Sequence, residues 1–315
     1  MPVDETAPAV TIRGLVKRFG DVTALDGVDL RVPSGSVFGF LGPNGAGKTT
    51  TLRILTGLAR PTSGEVFLFG MDAVKASAET RRIIGFLPDV PGFYGWMTAE
   101  ETIRFTGRLF GLGGDALEER VRALLDLAGL SDVKTRVGGF SRGMRQRLGI
   151  AQALVNAPKL LMLDEPTSAL DPMGRKDVLE MVASLAGRTT VFFSTHILSD
   201  VERVCDRVAI LDKGRVVMSG PLDEITMPAG AHAFEIEVAE DAERLEQALR
   251  DLPWATSVER TGLTLSVTAS DPIAAQRDVP AQVARLGLAL VRFETREASL
   301  EDVFVGLVGG EGRPR

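Results

Sequence analysis

A chain of 315 residues, 44% hydrophobic and 25% charged, has the composition of an ordinary globular protein and room for one large domain plus a small one. Its formal charge of −6 offers no overall basic footprint, so a nucleic-acid partner is not expected. A single cysteine, Cys205, excludes an intrachain disulfide, and no apolar run approaches the ~18 residues that span a bilayer.

Residues 1–9 begin acidic, lack the basic and apolar regions of a signal peptide, and read as a flexible tail. Strand-like runs follow at Val10–Leu15, Val28–Val32 and Val37–Leu41. Directly after the third comes Gly42-Pro43-Asn44-Gly45-Ala46-Gly47-Lys48-Thr49, a full match to G-x-x-x-x-G-K-[ST]. Beyond it Leu52, Leu55 and Leu58 recur at helical spacing, which predicts a helix from Thr49 to Leu58. Strand, glycine loop and helix form the context this pattern requires. The glycines let successive N–H groups turn inward around a polyphosphate, and the helix N-terminus adds partial positive charge. Lys48 supplies a full charge, the Thr49 hydroxyl can ligate Mg²⁺, and Thr50 completes the contact set.

After a further strand at Glu65–Phe69 the pattern turns helical from about Thr98 to Ala157. Thr98 and Glu101 are spaced as a capping box, and Ser141 is placed to cap a helix running to about Val155. From Lys159 to Ser219 apolar runs alternate with helices, the signature of a parallel sheet covered on both faces. The run Leu160–Leu163 ends in Asp164 and Glu165. Alternation along a strand points the two carboxylates in different directions. Asp164 is assigned to Mg²⁺ beside Thr49, through water, and Glu165 to accepting a proton from the attacking water. His196 follows the apolar run 191–195, at the carboxyl edge where ligands of open α/β folds bind, and is assigned to the γ-phosphate and that water.

Met227-Pro228-Ala229-Gly230 reads as a linker. Beyond it the elements fall in the order β-α-β-β-α-β, with strands at Phe234–Val238, Thr256–Arg260, Leu263–Val267 and Ala289–Phe293 and helices at Asp241–Leu252 and Ile273–Leu286. That order predicts a small ferredoxin-like domain over 229–310.

Taken in order, residues 42–49, Ser141–Arg147, 160–166, Ser168–Asp171 and Thr195-His196 resemble the nucleotide-binding subunit of an ABC transporter, over residues 10–226. The resemblance implies a P-loop ATPase fold with an antiparallel β-subdomain and a helical subdomain at about 90–157. ATP and Mg²⁺ would bind between two copies arranged head to tail. Ser141 and Gly143 would then meet the γ-phosphate held by the partner copy, Asp171 would couple the two sites, and Phe19 would stack on adenine, a core phenylalanine being the other reading of that position. The signature departs from the usual Ser-Gly-Gly-Gln, reading Ser141-Arg142-Gly143-Met144, and Asp89 stands where the family has a metal-touching Gln. The stretch Ala298–Phe304, with the ferredoxin-like domain, resembles ATPases of ABC-2-type exporters, which sit at the cytoplasmic face of the membrane under separate permease subunits. Phe93-Tyr94-Gly95-Trp96-Met97 lies where such subunits dock, or alternatively packs the helical subdomain. A soluble assembly ATPase acting on a protein scaffold is the other functional class. The C-terminal domain is read as a dimer prop or lid, or else a ligand sensor.

Overall fold

The computed structural model describes residues 7–226, 232–296, 300, 301, 303 and 304, in two compact units that divide after Pro221. In the first unit β1 (Val10–Phe19) and β2 (Val22–Val32) form a hairpin, followed by β3 (Val37–Leu41) and α1 (Lys48–Leu55). Next come β4 (Ser63–Leu68), β5 (Met71–Asp72), α2 (Ser77–Arg82) and β6 (Ile84–Leu87). Three helices, α3 (Ala99–Leu109), α4 (Gly114–Leu127) and α5 (Arg142–Ala153), make up the helical part. The chain then returns through β7 (Leu160–Asp164), α6 (Pro172–Ala183), β8 (Thr190–Thr195), α7 (Leu198–Val204), β9 (Arg207–Asp212) and β10 (Arg215–Pro221).

Two sheets result. An antiparallel one has the order β2-β1-β4-β5. The larger has the order β10-β9-β3-β8-β7-β6, parallel from β9 to β6 with β10 as an antiparallel edge. Every residue of β3, β7 and β8 is buried, as the continuous apolar runs require of strands covered on both faces. Ile12, Leu15, Leu25 and Val28 share one core with Phe38, Phe40, Leu52, Leu55 and Phe192. Phe192 fixes the centre, its ring 5.1 Å from Phe40 and 5.8 Å from Phe38. Cys205 is buried, which pushes its thiol pKa up and leaves it an apolar packing residue.

The capping box forms as read. Thr98 Oγ1 accepts from the Glu101 N–H at 3.2 Å, and the Thr98 N–H donates to Glu101 Oε2 at 2.8 Å. The helix after the glycine loop is shorter than its apolar spacing suggests. Gly57, at φ 73°, closes it, the N–H groups of Leu58 and Ala59 turn back to Arg53 O, and Leu58 is left 68% exposed. Ala9, placed by the sequence in a tail, is fully buried; residues 1–6 lie outside the described set.

The second unit holds α8 (Leu222–Thr226), β11 (His232–Val238), α9 (Ala242–Arg250), β12 (Ala255–Thr261), β13 (Thr264–Ala269), α10 (Pro272–Leu286) and β14 (Leu290–Arg296). Its sheet order β12-β13-β11-β14, antiparallel throughout, is the ferredoxin-like topology that the element order predicts. Phe234, Ile236, Leu265 and Val267 bury one sheet face against Leu245, Leu249, Val279 and Val283 of the helices. The predicted linker 227–230 lies outside the described residues, as do Ala298, Ser299 and Asp302 of the C-terminal stretch.

Gly85 in β6 passes so close to the end of α5 that an added Cβ would lie 2.1 Å from the Ala153 carbonyl oxygen. Gly85→Ala is expected to destabilise the first unit by about 1–3 kcal/mol or more, read as a lowered urea midpoint.

Candidate active site

The glycine loop joins β3 to α1 at the carboxyl edge of the parallel strands, and its shape is set by close backbone approaches. A Cβ on Gly42 would lie 2.3 Å from Leu211 O; one on Gly47, at φ 112°, would lie 2.7 Å from Ala24 O. Side chains are excluded at both positions, which is why the pattern demands glycine there. Ala46 is buried, Pro43 half-buried, and Asn44 and Gly45 form the exposed crest. Lys48 opens α1 and is only 5% exposed. Its ammonium donates to Gly42 O at 2.6 Å and Pro43 O at 3.2 Å, and pairs with Glu165 Oε1 at 3.2 Å. Thr49 is exposed and Thr50 half-buried in the first turn, where helical N–H groups face the loop.

Asp164 and Glu165 do separate, but by a different device from strand alternation. β7 ends at Asp164, and Glu165 takes the left-handed conformation at φ 49°, its N–H donating to Ser194 O at 2.9 Å. A non-glycine residue holds that conformation only where surrounding contacts impose it. The turn sends Glu165 Oε2 to His196 Nδ1 at 2.8 Å while Oε1 reaches Lys48. Asp164 stays buried and accepts from Thr49 Oγ1 at 3.3 Å and Ser194 Oγ at 3.2 Å. Burial raises the Asp164 pKa. The two hydroxyl hydrogen bonds oppose that rise, and the negative charges of Glu165 and Asp89 add to it.

The fold therefore gathers Lys48, Thr49, Asp164, Glu165 and His196 into one connected cluster. Other sequence-predicted residues lie elsewhere. Ser141 caps α5, its Oγ accepting from the Met144 N–H at 3.2 Å, and Gly143 stands where an added Cβ would meet Gly174 Cα at 3.5 Å. Asp171 caps α6 by accepting from the Gly174 N–H at 3.3 Å. Asp89 is exposed, and its carbonyl accepts from Gln146 Nε2 of α5 at 3.3 Å. Phe19 is 54% exposed with the Lys17 ammonium 4.6 Å from its ring centroid, so it belongs to the surface and not to the core. No hydrogen bond among the described residues joins Ser141, Gly143, Asp171 or Phe19 to the Lys48 cluster. Ser194 is not legible as a site residue in the sequence, where it reads as one polar residue inside an apolar run. Only the register of β8 on β7, pairing Ser194 with Asp164, gives it a place.

The donor set fits a small hard cation. The Thr49 hydroxyl and Asp164 carboxylate already touch, with the Asp89 carboxylate close enough to act on the Asp164 pKa. Among the described residues there is no ready-made cluster of three or more metal-binding side chains. The Thr49 hydroxyl and Asp164 carboxylate suit Mg²⁺, which takes one or two carboxylates and completes its shell from substrate phosphates and water.

A buried lysine and free helical N–H groups at a parallel sheet edge, with a carboxylate turned toward them, define a P-loop nucleoside triphosphatase. The comparisons narrow the class. Residues 25–168 match the family described as ABC transporter. The chain is 41% identical over 300 residues to the "Uncharacterized ABC transporter ATP-binding protein YxlF" of Bacillus subtilis (strain 168), covering 95% of this chain and 99% of that one. It is 37% identical over 316 residues to the "Nod factor export ATP-binding protein I" of Cupriavidus pinatubonensis (strain JMP 134 / LMG 1197), covering 99% and 94%. A solved "Structure of ATP binding subunit of ABC transporter" superimposes with a TM-score of 0.63 at 32% identity, covering 69% of this chain and 91% of that one. The chain belongs to the ATP-binding proteins of ABC transporters, and it binds and hydrolyses ATP.

Lys48→Ala strands the Gly42 and Pro43 carbonyls and the Glu165 carboxylate without their cation. ATP affinity, measured by calorimetric titration, is expected to fall about 10–100-fold.

Proposed function

We propose that this chain powers export through separate ABC-2-type membrane subunits, working as a head-to-tail pair of ATPase copies on the cytoplasmic face of the membrane. The observation that carries the chemistry is the Glu165 carboxylate, held between Lys48 at 3.2 Å and His196 at 2.8 Å. Glu165 accepts the proton of the attacking water, and His196 holds the γ-phosphate and that water in line. Lys48, from its buried post at the start of α1, turns its charge to the phosphates, which the N–H groups of Gly45 to Thr50 surround. Thr49 and Asp164, with Asp89, would hold Mg²⁺, which when bound would neutralise developing phosphate charge. Phe19 offers adenine a flat exposed face, the other face carrying the Lys17 ammonium.

Ser141, exposed, and Gly143, half-buried, at the start of α5 serve the ATP bound by the partner copy, and Asp171 links the two sites. ATP drives closure because it binds the closed pair more tightly than the open chains.

Export is supported by the relative whose name includes that word and by a bacitracin-transport relative, 36% identical over 301 residues. No helix among the described residues is long and apolar enough to cross a membrane, and the proposal assigns the membrane path to the separate subunits. The surface offered to it is aromatic. Tyr94 and Trp96 are exposed with rings 5.8 Å apart, and Phe105 meets Tyr94 edge-on at 6.1 Å. A groove of about 370 Å³ runs beside them, lined by Phe93, Met97 and Leu109.

Glu165→Gln is expected to lower turnover roughly 10²–10⁴-fold with ATP still bound. Captured from detergent-solubilised host membranes with MgATP, this variant should retain a polytopic membrane protein. Retention of a soluble scaffold alone would favour an assembly ATPase instead. Unchanged turnover would remove Glu165 from its role.

A further inference from the structure

Asp200 is a carboxylate with no exposed surface, and nothing in the proposed chemistry uses it. It lies on α7, the helix that follows His196. Its Oδ2 accepts from Thr167 Oγ1 at 2.5 Å, and its Oδ1 accepts from Arg175 Nε at 2.6 Å. The same arginine donates through Nη2 to Ser199 Oγ at 2.8 Å. Thr167 is buried in the turn that leaves β7 through Glu165. Arg175 sits in the first turn of α6, its N–H donating to the carbonyl of the cap residue Asp171 at 2.9 Å. One carboxylate thus joins three segments: the loop after Glu165, the helix capped by Asp171, and the helix after His196.

Two features make this junction more than ordinary packing. Glu165 holds a left-handed backbone, at φ 49°, so the segment following it must be restrained for that geometry to persist. The Glu165–His196 contact at 2.8 Å spans the same two chain segments that Asp200 ties together from below. If either segment slides, the carboxylate and the imidazole separate. Besides the Lys48 pair with Glu165, the phosphate loop has backbone anchors of its own, Gly42 against Leu211 of β9 and Gly47 against Ala24 of β2.

We propose that Asp200 is a positioning residue for hydrolysis: by locking Thr167 and Arg175 to α7, it keeps Glu165 and His196 in register. The proposal rests on Glu165 and His196 forming the hydrolytic pair. It separates binding from chemistry, because those backbone anchors, and the Gly42 and Pro43 carbonyls that hold Lys48, lie outside the junction. A carboxylate that only glued α6 to α7 would change stability, without a selective loss in the chemical step.

The test uses the full chain carrying Asp200→Asn, Thr167→Val or Thr167→Ser, with kcat and KM for MgATP and nucleotide affinity measured on folded protein. Asp200→Asn and Thr167→Val are expected to lower kcat roughly 10–10²-fold, the range for a misplaced catalytic group. KM and ATP affinity should stay within about twofold, as befits a loss confined to the chemical step. Thr167→Ser, which keeps the hydroxyl, should restore turnover. Wild-type kcat in folded Thr167→Val overturns the proposal, as does a kcat loss matched by an equal loss of ATP affinity. Should Asp200→Asn fail to fold, Thr167→Val decides alone, since it exchanges one hydroxyl for a methyl of similar shape. Normal turnover in Glu165→Gln would instead bring down the hydrolytic reading itself, while leaving the Thr167 and Arg175 contacts of Asp200 as they are.

Discussion

A charge taken out of water must be paired, and the Lys48 ammonium is the charge around which this site is built. Its partners come from two chain segments far apart in sequence, the loop carbonyls of Gly42 and Pro43 and the Glu165 carboxylate beyond β7. Holding all three in reach requires β3 and β7 to lie in one sheet, separated only by β8, with their carboxyl ends on the same edge. Parallel pairing supplies that alignment, and the parallel strands are stable only because helices cover both faces. One of those faces is shared by α1 and the antiparallel sheet, whose Ile12, Leu15, Leu25 and Val28 pack with Phe38, Phe40 and Phe192. The apolar runs in β3, β7 and β8 and the polar cluster at their ends are consequences of one arrangement.

From that edge the work divides among short polar exits. β3 leaves through glycines, because backbone from β2 and β9 occupies the space where side chains would be. β7 leaves through a left-handed glutamate, and β8 through Thr195, which accepts from the Ile197 N–H at 3.0 Å, and His196. Each exit is held by hydrogen bonds from its neighbour: Ser194 serves both Asp164 and Glu165, one through its hydroxyl and the other through its carbonyl. Strain at Glu165 is thus concentrated where a largely buried carboxylate is turned between Lys48 and His196.

The residues that the family resemblance adds to the site behave differently. Within the chain, Ser141 and Asp171 are simply helix caps, each accepting from a first-turn N–H. A second copy would give them their other work, and their exposure leaves them available for it. The close approach of Gly143 and Gly174 brings the starts of α5 and α6 together, and Arg147 of α5 pairs with Asp177 of α6. The helix that carries the signature is therefore bound to the helix that Arg175 and Asp200 tie to the His196 segment.

The sequence alone determined the phosphate loop, the parallel character of the larger sheet, the capping box at Thr98 and the ferredoxin-like order of the second unit. Each of these is written in local spacing: a glycine pattern, an apolar run, a cap three residues from its partner, a hairpin turn. Helix ends were less legible, because Gly57 overrode the apolar spacing that would have carried α1 to Leu58. Tertiary structure alone decided that Glu165 turns by a positive φ to bridge Lys48 and His196, that Ser194 holds Asp164, that Phe19 stands at the surface, and that Asp200 joins three segments. These contacts link residues dozens of positions apart, and strand register and helix packing bring them together; no spacing along one chain encodes them.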